Sequence, residues 1–250
     1  MKTTHLSSSY ILHTRSFKET SLLVEAFTET HGRVSLLARG AKRPKGRWRG
    51  LLQPFIGLSL SWIASQDSDL FVLGGVENNP VSHPLPGKCL LYGFYINELM
   101  MRLTTRGDPA PTLYHLYEKT LTQLKDECNV EPVLRAFELG LLSALGYAID
   151  LFQDAKTGHP IERDSVYGYD ANLGLFALDT LPEDPYPILV TVAGASILAL
   201  QSGIYSNSAQ LKDAKRLLRA ALGSHLGNKP LKSREIAKRL TLKEKRHASK

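Results

Sequence analysis

Hydrophobic and polar positions change rhythm once along this chain, near Pro80. Before that point short runs alternate with a period of two, the spacing of a strand with one buried face. Five segments read as strands: residues 10–13, 21–28, 33–38, 55–63 and 70–76. In the second, Leu22, Val24 and Ala26 face one way and Leu23, Glu25 and Phe27 the other. In the fourth, Ile56, Leu58, Leu60 and Trp62 alternate with Phe55, Gly57, Ser59 and Ser61. Glu29-Thr30-His31-Gly32 reads as a hairpin turn with glycine where positive φ is needed. Five short strands suit a small Greek-key barrel of the OB type, whose loops and one sheet face commonly bind oligonucleotides. An SH3-like barrel fits the strand count nearly as well.

After Pro80 the period lengthens to that of a helix. Leu91, Tyr95, Leu99 and Leu103 recur every four residues, and Tyr92, Ile96 and Met100 widen the stripe. A second helix is predicted over 111–124. A third starts at 131 with Pro132 in its first turn, carries Leu134, Phe137, Leu141 and Leu145 on one face, and stops at Gly146. Residues 150–187 break the pattern, being rich in Asp, Gly, Pro and Tyr, with a hairpin around 166–176. Helices over 191–202 and 208–226 follow. On the last, Lys212, Lys215, Arg216 and Arg219 form a basic ridge opposite Leu211, Ala214, Leu218 and Leu222. The fold class is therefore α+β: an N-terminal five-stranded OB-type β-barrel followed by a mainly α-helical C-terminal domain. The expected domains are 1–80, an OB-fold DNA-binding domain, and 81–250, a helical domain with an irregular insert near 150–187 and a basic C-terminal tail. At 250 residues and 43% hydrophobic content, the chain is long enough for two cores.

Charge sharpens this division. Arg39, Lys42, Arg43, Lys45, Arg47 and Arg49 fall in eleven residues with no acid among them, on a stretch that Gly40, Pro44, Gly46 and Gly50 keep from being a regular helix. Trp48, between two of these arginines, offers a flat surface on which a base would stack. The tail over 229–250 holds nine basic residues against Glu235 and Glu244. The formal net charge is +7, so the chain outside these two segments is mildly acidic. A body with two basic appendages points to nucleic acid or an anionic membrane surface.

The motifs that would signal other chemistry are missing. Gly40 and Gly46 enclose five residues with no Lys-Ser/Thr after them, which is not a phosphate-cradling P-loop. The eight histidines are scattered, without His-Glu-x-x-His spacing, and Cys89 and Cys128 form no Cys-x-x-Cys pair, so no metal ligand set and no disulfide framework is expected. Asp67 and Asp69 read as turn formers. Ser7, Ser8 and Ser9 lack a nucleophile elbow. No catalytic residue, cofactor or metal is expected. The N-terminus lacks a signal-peptide core and the apolar run over 188–200 is too short to span a bilayer, so the expectation is a cytoplasmic, nucleoid-associated protein.

Several stretches, taken together, carry a family resemblance. Ile11-Leu12-His13-Thr14-Arg15-Ser16-Phe17-Lys18-Glu19-Thr20-Ser21-Leu22, Gly32-Arg33-Val34, Ala38-Arg39-Gly40-Ala41-Lys42, and Leu52-Gln53-Pro54-Phe55 resemble the RecO family of bacterial recombination mediators. So do Tyr95-Ile96-Asn97-Glu98-Leu99, the segment from Glu131-Pro132 to Leu145-Gly146-Tyr147, and Lys229-Pro230-Leu231-Lys232-Ser233-Arg234-Glu235. The matches run in order along nearly the whole chain. The resemblance implies an OB fold with a helical domain, binding of single- and double-stranded DNA, strand annealing, and binding of the acidic tail of the single-stranded DNA-binding protein (SSB). It also implies partnership with RecR in loading RecA onto coated strands. By position, Arg39, Lys42, Arg43, Lys45, Arg47, Trp48 and Arg49 would contact DNA, with the ridge of Lys212, Lys215, Arg216 and Arg219 holding a second strand. For the SSB tail the analogy favours the helical domain, with Arg135 beside Phe137, Leu141 and Leu142. Some relatives carry a four-cysteine zinc module where Phe152-Gln153-Asp154-Ala155-Lys156-Thr157-Gly158 stands here. Without those cysteines the insert is expected to hold by packing on Tyr167, Tyr169 and Phe176.

Two other readings stand beside this one: a metal-dependent nuclease built on Asp67 and Asp69, and a basic membrane-surface protein whose tail over 231–245 lies on lipid as an amphipathic helix. The latter's apolar face, Leu231, Ile236, Leu240 and Leu242, lacks aromatics. A plain solvated, disordered tail is the third possibility for that segment.

Overall fold

A computed structural model describes residues 2–48, 50–65, 68–82, 85–87, 89–125, 130–178 and 188–248. Five strands come first: β1 (Lys2–Phe17), β2 (Ser21–Thr28), β3 (Gly32–Ala38), β4 (Ile56–Ser65) and β5 (Ser68–Ser82). Helices α1 (Cys89–Leu103), α2 (Pro111–Gln123) and α3 (Val130–Ala144) follow, then strands β6 (Val166–Asp170), β7 (Gly174–Ala177) and β8 (Val190–Ala193), then α4 (Gly194–Ser202), α5 (Ser208–Leu226) and α6 (Lys232–Ala248).

The first five strands close into a barrel in the order β1-β2-β3-β5-β4, with β4 paired back to β1. Every pair is antiparallel except β3 with β5, which run parallel from Ser35↔Leu70 to Leu37↔Val72. This is the five-stranded OB-type barrel. Inward residues are those the alternation assigned. Val24, Ala26, Leu58, Leu60 and Trp62 lie in the barrel core, with Leu22 and Ile56 packed against it. Burying each valine or leucine of this set contributes roughly 1.5–3 kcal/mol. Strand β1 is far longer than residues 10–13. Its first part pairs with β4 and its second with β2, with bulges at Thr4/Ser7 and Ile11/His13. The Ser/Thr run there has no apolar alternation to reveal it.

The barrel's other buried surface meets helices. Tyr10 and Phe27 are fully buried, and Tyr10 packs on Tyr114 and Tyr117 of α2 with ring centroids 5.6 and 5.3 Å apart. Asn97 on α1 donates to the Leu12 carbonyl at 2.9 Å and accepts from the Tyr117 hydroxyl at 2.6 Å. The connection after α1 is clipped to β3. Glu25 accepts from Arg33 at 3.0 Å, Ser35 at 2.6 Å and Arg106 at 2.6 Å, and Gly107 donates to the Arg33 carbonyl at 2.9 Å. Gly32, at φ 62°, lies so close to Asp108 that a Cβ would overlap its carbonyl oxygen.

The change from strand to helix falls after β5, but the compact units divide elsewhere. Residues 1–127 with 230–250 form one, and 128–229 the other. The first keeps α1 and α2 because Asn97, Tyr114 and Tyr117 complete the barrel's polar and aromatic contacts. It recovers α6 because that helix packs on α1.

In the second unit, α5 packs against α3, α4 and β8. The sheet has the order β7-β6-β8. Tyr167, Tyr169 and Phe176 are buried in it. The expected helix over 191–202 begins at Gly194 instead. Val190 and Val192 are buried with Thr191 exposed between them, a strand pattern, and the segment pairs with β6. The Asp154 turn is knit by its own carboxylate, which accepts from the amides of Lys156, Thr157 and Ala177 at 2.6–2.9 Å. Burial works to raise this carboxyl's pKa, and those hydrogen bonds hold it below the ordinary range.

Candidate nucleic-acid interface

The basic loop between β3 and β4 is not a floppy turn. Ala41, Trp48 and Leu52 all belong to the barrel core, so the loop is pinned at three points. Its backbone closes on itself. Lys42 donates to the Thr20 carbonyl at 2.9 Å, Arg43 to Gly40 at 3.1 Å, Gly46 to Arg43 at 2.8 Å and Leu51 to Trp48 at 3.2 Å. Gly46 sits where a Cβ would come within 2.5 Å of the Gly40 carbonyl oxygen, so the turn needs glycine. On this base Arg39, Lys42, Arg43, Lys45 and Arg47 are all exposed, and none forms an ion pair among the described residues. Arg49 lies outside the described residues.

Trp48 corrects the expectation of an open stacking surface. Its ring is 7% exposed, and the Arg47 guanidinium lies 4.4 Å from its centroid. The indole therefore fixes the loop to the barrel and orients Arg47; it has no free face for a base. The apolar context of Trp48 that sequence could have shown was Ala41, Leu51 and Leu52 flanking the charges, a sign that the loop returns to the core.

The predicted ridge is present on α5. Lys212, Arg216 and Arg219 are exposed and Lys215 is half-buried, opposite the buried Ala214, Leu218 and Leu222. Its charges are partly neutralised. Lys215 Nζ is 2.8 Å from Glu131 and Arg216 is 3.1 Å from Asp213. The hydrogen bond and charge of Lys215 hold the Glu131 carboxyl below its usual range, against a smaller opposing effect of burial.

Arg135 and its neighbours sit differently from a surface pocket. The Arg135 side chain is 4% exposed and pairs with Glu138 at 2.7 Å, one turn along α3. Its Nε is buried with no hydrogen-bond partner. Phe137, Leu141 and Leu142 are all within the core of the second unit. Burial pushes the nearby Tyr205 phenol up to about 12, with the Arg135 charge opposing and the Glu138 charge adding. The guanidinium is thus committed to an internal carboxylate, which corrects the expectation of one presented to a partner. The sequence signal was the Arg135-Ala-Phe-Glu138 spacing, which places the two charges on one helix face.

Of the residues of the nuclease reading, Asp69 is exposed and Asp67 lies outside the described residues, as does Cys128. Among the described residues no group of three or more His, Cys, Asp or Glu is placed to hold a metal ion, and no described helix is long and apolar enough to cross a membrane.

Comparison with known proteins decides what kind of barrel this is. The family model "Recombination protein O N terminal" matches residues 1–77, and "Recombination protein O C terminal" matches residues 87–235. The chain belongs to the RecO family. The DNA repair protein RecO of Azoarcus sp. (strain BH72) is 40% identical over 233 residues, 93% of this chain and 95% of that protein. That of Haemophilus influenzae (strain PittGG) is 40% identical over 231 residues, covering 92% and 94%. That of Coxiella burnetii (strain CbuG_Q212) is 41% identical over 231 residues, covering 92% and 96%. These names describe DNA repair and recombination proteins. Within this RecO-family chain, the loop over 39–49 gathers five exposed cations that form no ion pair among the described residues.

Proposed function

We propose that this RecO-family protein is a cytoplasmic, nucleoid-associated recombination mediator. It binds single- and double-stranded DNA, anneals complementary strands and, together with RecR, helps RecA load onto strands coated by SSB. One observation supports the DNA contact above all: five exposed cations, without an ion pair among the described residues, on a loop whose backbone the barrel core holds in place. Phosphate contacts of this kind position a strand without reading its sequence. Each cation that neutralises a phosphate releases counterions, so binding should weaken steeply with salt and prefer no sequence. Two strands held on separate basic surfaces, the loop and the α5 ridge, have their mutual repulsion screened, and annealing then needs no nucleotide hydrolysis.

The test is a salt titration of single-stranded oligonucleotide binding by fluorescence anisotropy, with wild type beside a Lys42→Ala, Arg43→Ala, Arg47→Ala variant. The log–log slope should be shallower in the variant by about 2, from roughly 0.7 per phosphate contact. An unchanged slope and affinity would remove the loop as the DNA site. For the SSB tail, Arg135 can serve only by exchanging Glu138 for a carboxylate of the tail. Glu138→Gln should then tighten binding of a tail peptide, and a loss of peptide binding in that variant would exclude Arg135.

A further inference from the structure

The C-terminal segment is neither a free end nor an isolated helix. Helix α6 begins where Glu98 of α1 receives it. The carboxylate accepts from the amides of Lys232 and Ser233, both at 2.9 Å, and from the Ser233 hydroxyl at 2.6 Å. Burial works to raise the Glu98 pKa, and these bonds together with the Arg102 charge hold it below the usual range. A carboxylate at a helix N-terminus satisfies amides that have no partner within the helix. Just before the helix Leu231 is buried, and just after its start Arg234 donates to the Tyr95 hydroxyl at 3.2 Å with its guanidinium 5.4 Å from that ring.

This attachment fixes which side of α6 looks outward. Ser233 is buried, and Arg234 and Ala237 are half-buried, so the side centred between these positions meets α1. At 3.6 residues per turn, positions 232, 239, 243 and 246 fall within about 60° of one another on the opposite side. All four are basic: Lys232, Arg239, Lys243 and Arg246. Lys232 and Arg239 are exposed and, among the described residues, carry no ion pair. Glu235 stands at the stripe's edge and Glu244 lies off it. Fourteen residues of helix span about 21 Å, the length of about six phosphates along one B-form strand.

We propose that α6 is a second nucleic-acid grip, the exposed Lys232 and Arg239 and the helical positions 243 and 246 in register with them following a phosphate backbone, with Glu98 as the positioning residue that holds the helix there. The proposal rests on the DNA-binding reading above and adds a surface to it. A helix that met lipid would need a broad apolar side, and among the described side chains of α6 the exposed apolar ones are Ile236 and Leu240, neither of them aromatic. The chemistry favours a polyanion that needs charge spacing rather than an apolar bed.

The experiment uses the full chain and a single-stranded oligonucleotide, with binding followed by anisotropy over a range of KCl. Changing Lys232, Arg239, Lys243 and Arg246 to Gln should make the log–log slope shallower by about 3 while far-ultraviolet circular dichroism keeps its helical signal. Glu98→Ala should weaken binding several-fold at fixed salt, and Glu98→Gln, which keeps an acceptor oxygen, should recover part of the loss. If the four-site variant keeps the wild-type slope while the loop variant's falls, α6 is not on the nucleic acid and the DNA reading survives without it. If wild type itself fails to bind the oligonucleotide, that reading falls and this one with it. If the four-site variant loses only its co-sedimentation with phosphatidylserine-containing vesicles, the stripe serves lipid and the proposal is overturned.

Discussion

The loop over 39–49 and the outward face of α5 carry similar cations and use them differently. On the loop, five exposed cations form no ion pair among the described residues. On α5, Lys215 and Arg216 are occupied by Glu131 and Asp213. A cation already paired contributes little to a phosphate unless its pair opens, so equal formal charge gives unequal grip. The difference begins in the sequence. The loop excludes acids altogether, whereas α5 has Asp213 within its own ridge and faces Glu131 on α3.

The largest effect expected from testing this contrast comes from the loop's seat rather than its charges. Trp48→Ala should destabilise the first unit by roughly 3–5 kcal/mol, the usual loss for a large buried aromatic, read by urea unfolding. DNA binding should fall with it, because Arg47 loses the ring it lies on. A variant of wild-type stability would mean the indole does not hold the loop. Breaking the buried pair on α3 comes next: Arg135→Ala should cost about 3–5 kcal/mol by leaving Glu138 with an uncompensated charge, measured the same way.

Smaller effects sharpen the comparison itself. Glu131→Gln frees Lys215, and the log–log salt slope for oligonucleotide binding should steepen by about 0.7 if the ridge holds a strand. A slope that stays put leaves DNA to the other basic surfaces. The Glu25 cluster gives a pH test. Burial raises that carboxyl's pKa, and the hydrogen bonds and charges of Arg106, Ser35 and Arg33 outweigh it, so the folded value lies below the ordinary one. A depressed folded value means the cluster stabilises at neutral pH and the contribution is lost as pH falls below the ordinary carboxylate range. Glu25→Gln should flatten stability against pH in that acidic window, as followed by thermal unfolding. Smallest of all, Arg216→Ala removes an exposed pair and should change stability by no more than about 0.5 kcal/mol.

Much of this was legible from residue order. Period-two alternation marked β2 and β4 most clearly, and Leu91, Tyr95 and Leu99 marked α1, because those elements bury one face more than the other. Where both faces are buried or neither is apolar, pattern fails. The Ser/Thr stretch of β1 pairs through its backbone with β4, and no side-chain rhythm records that. Trp48 was misread because a tryptophan among arginines looks exposed in sequence, while its burial depends on a loop that folds back onto the barrel. The burial of Arg135 was hidden for a related reason: the acid that neutralises it is one helical turn away, and only the packing around α3 makes that pair internal. The Glu98–Ser233 contact joins residues 135 positions apart, a separation at which local pattern carries no information.

That separation has a consequence for how the chain is made. A ribosome releases residues 1–127 first, yet this unit lacks α6 until the final stretch emerges, while residues 128–229 are complete before it. The unit synthesised second can therefore finish folding first, reversing the usual N-terminal-first order. Truncation after Lys229 would leave the later-made unit whole and deprive the earlier-made one of α6, so a lesion more than a hundred residues downstream of the barrel would be felt in the barrel's own unit.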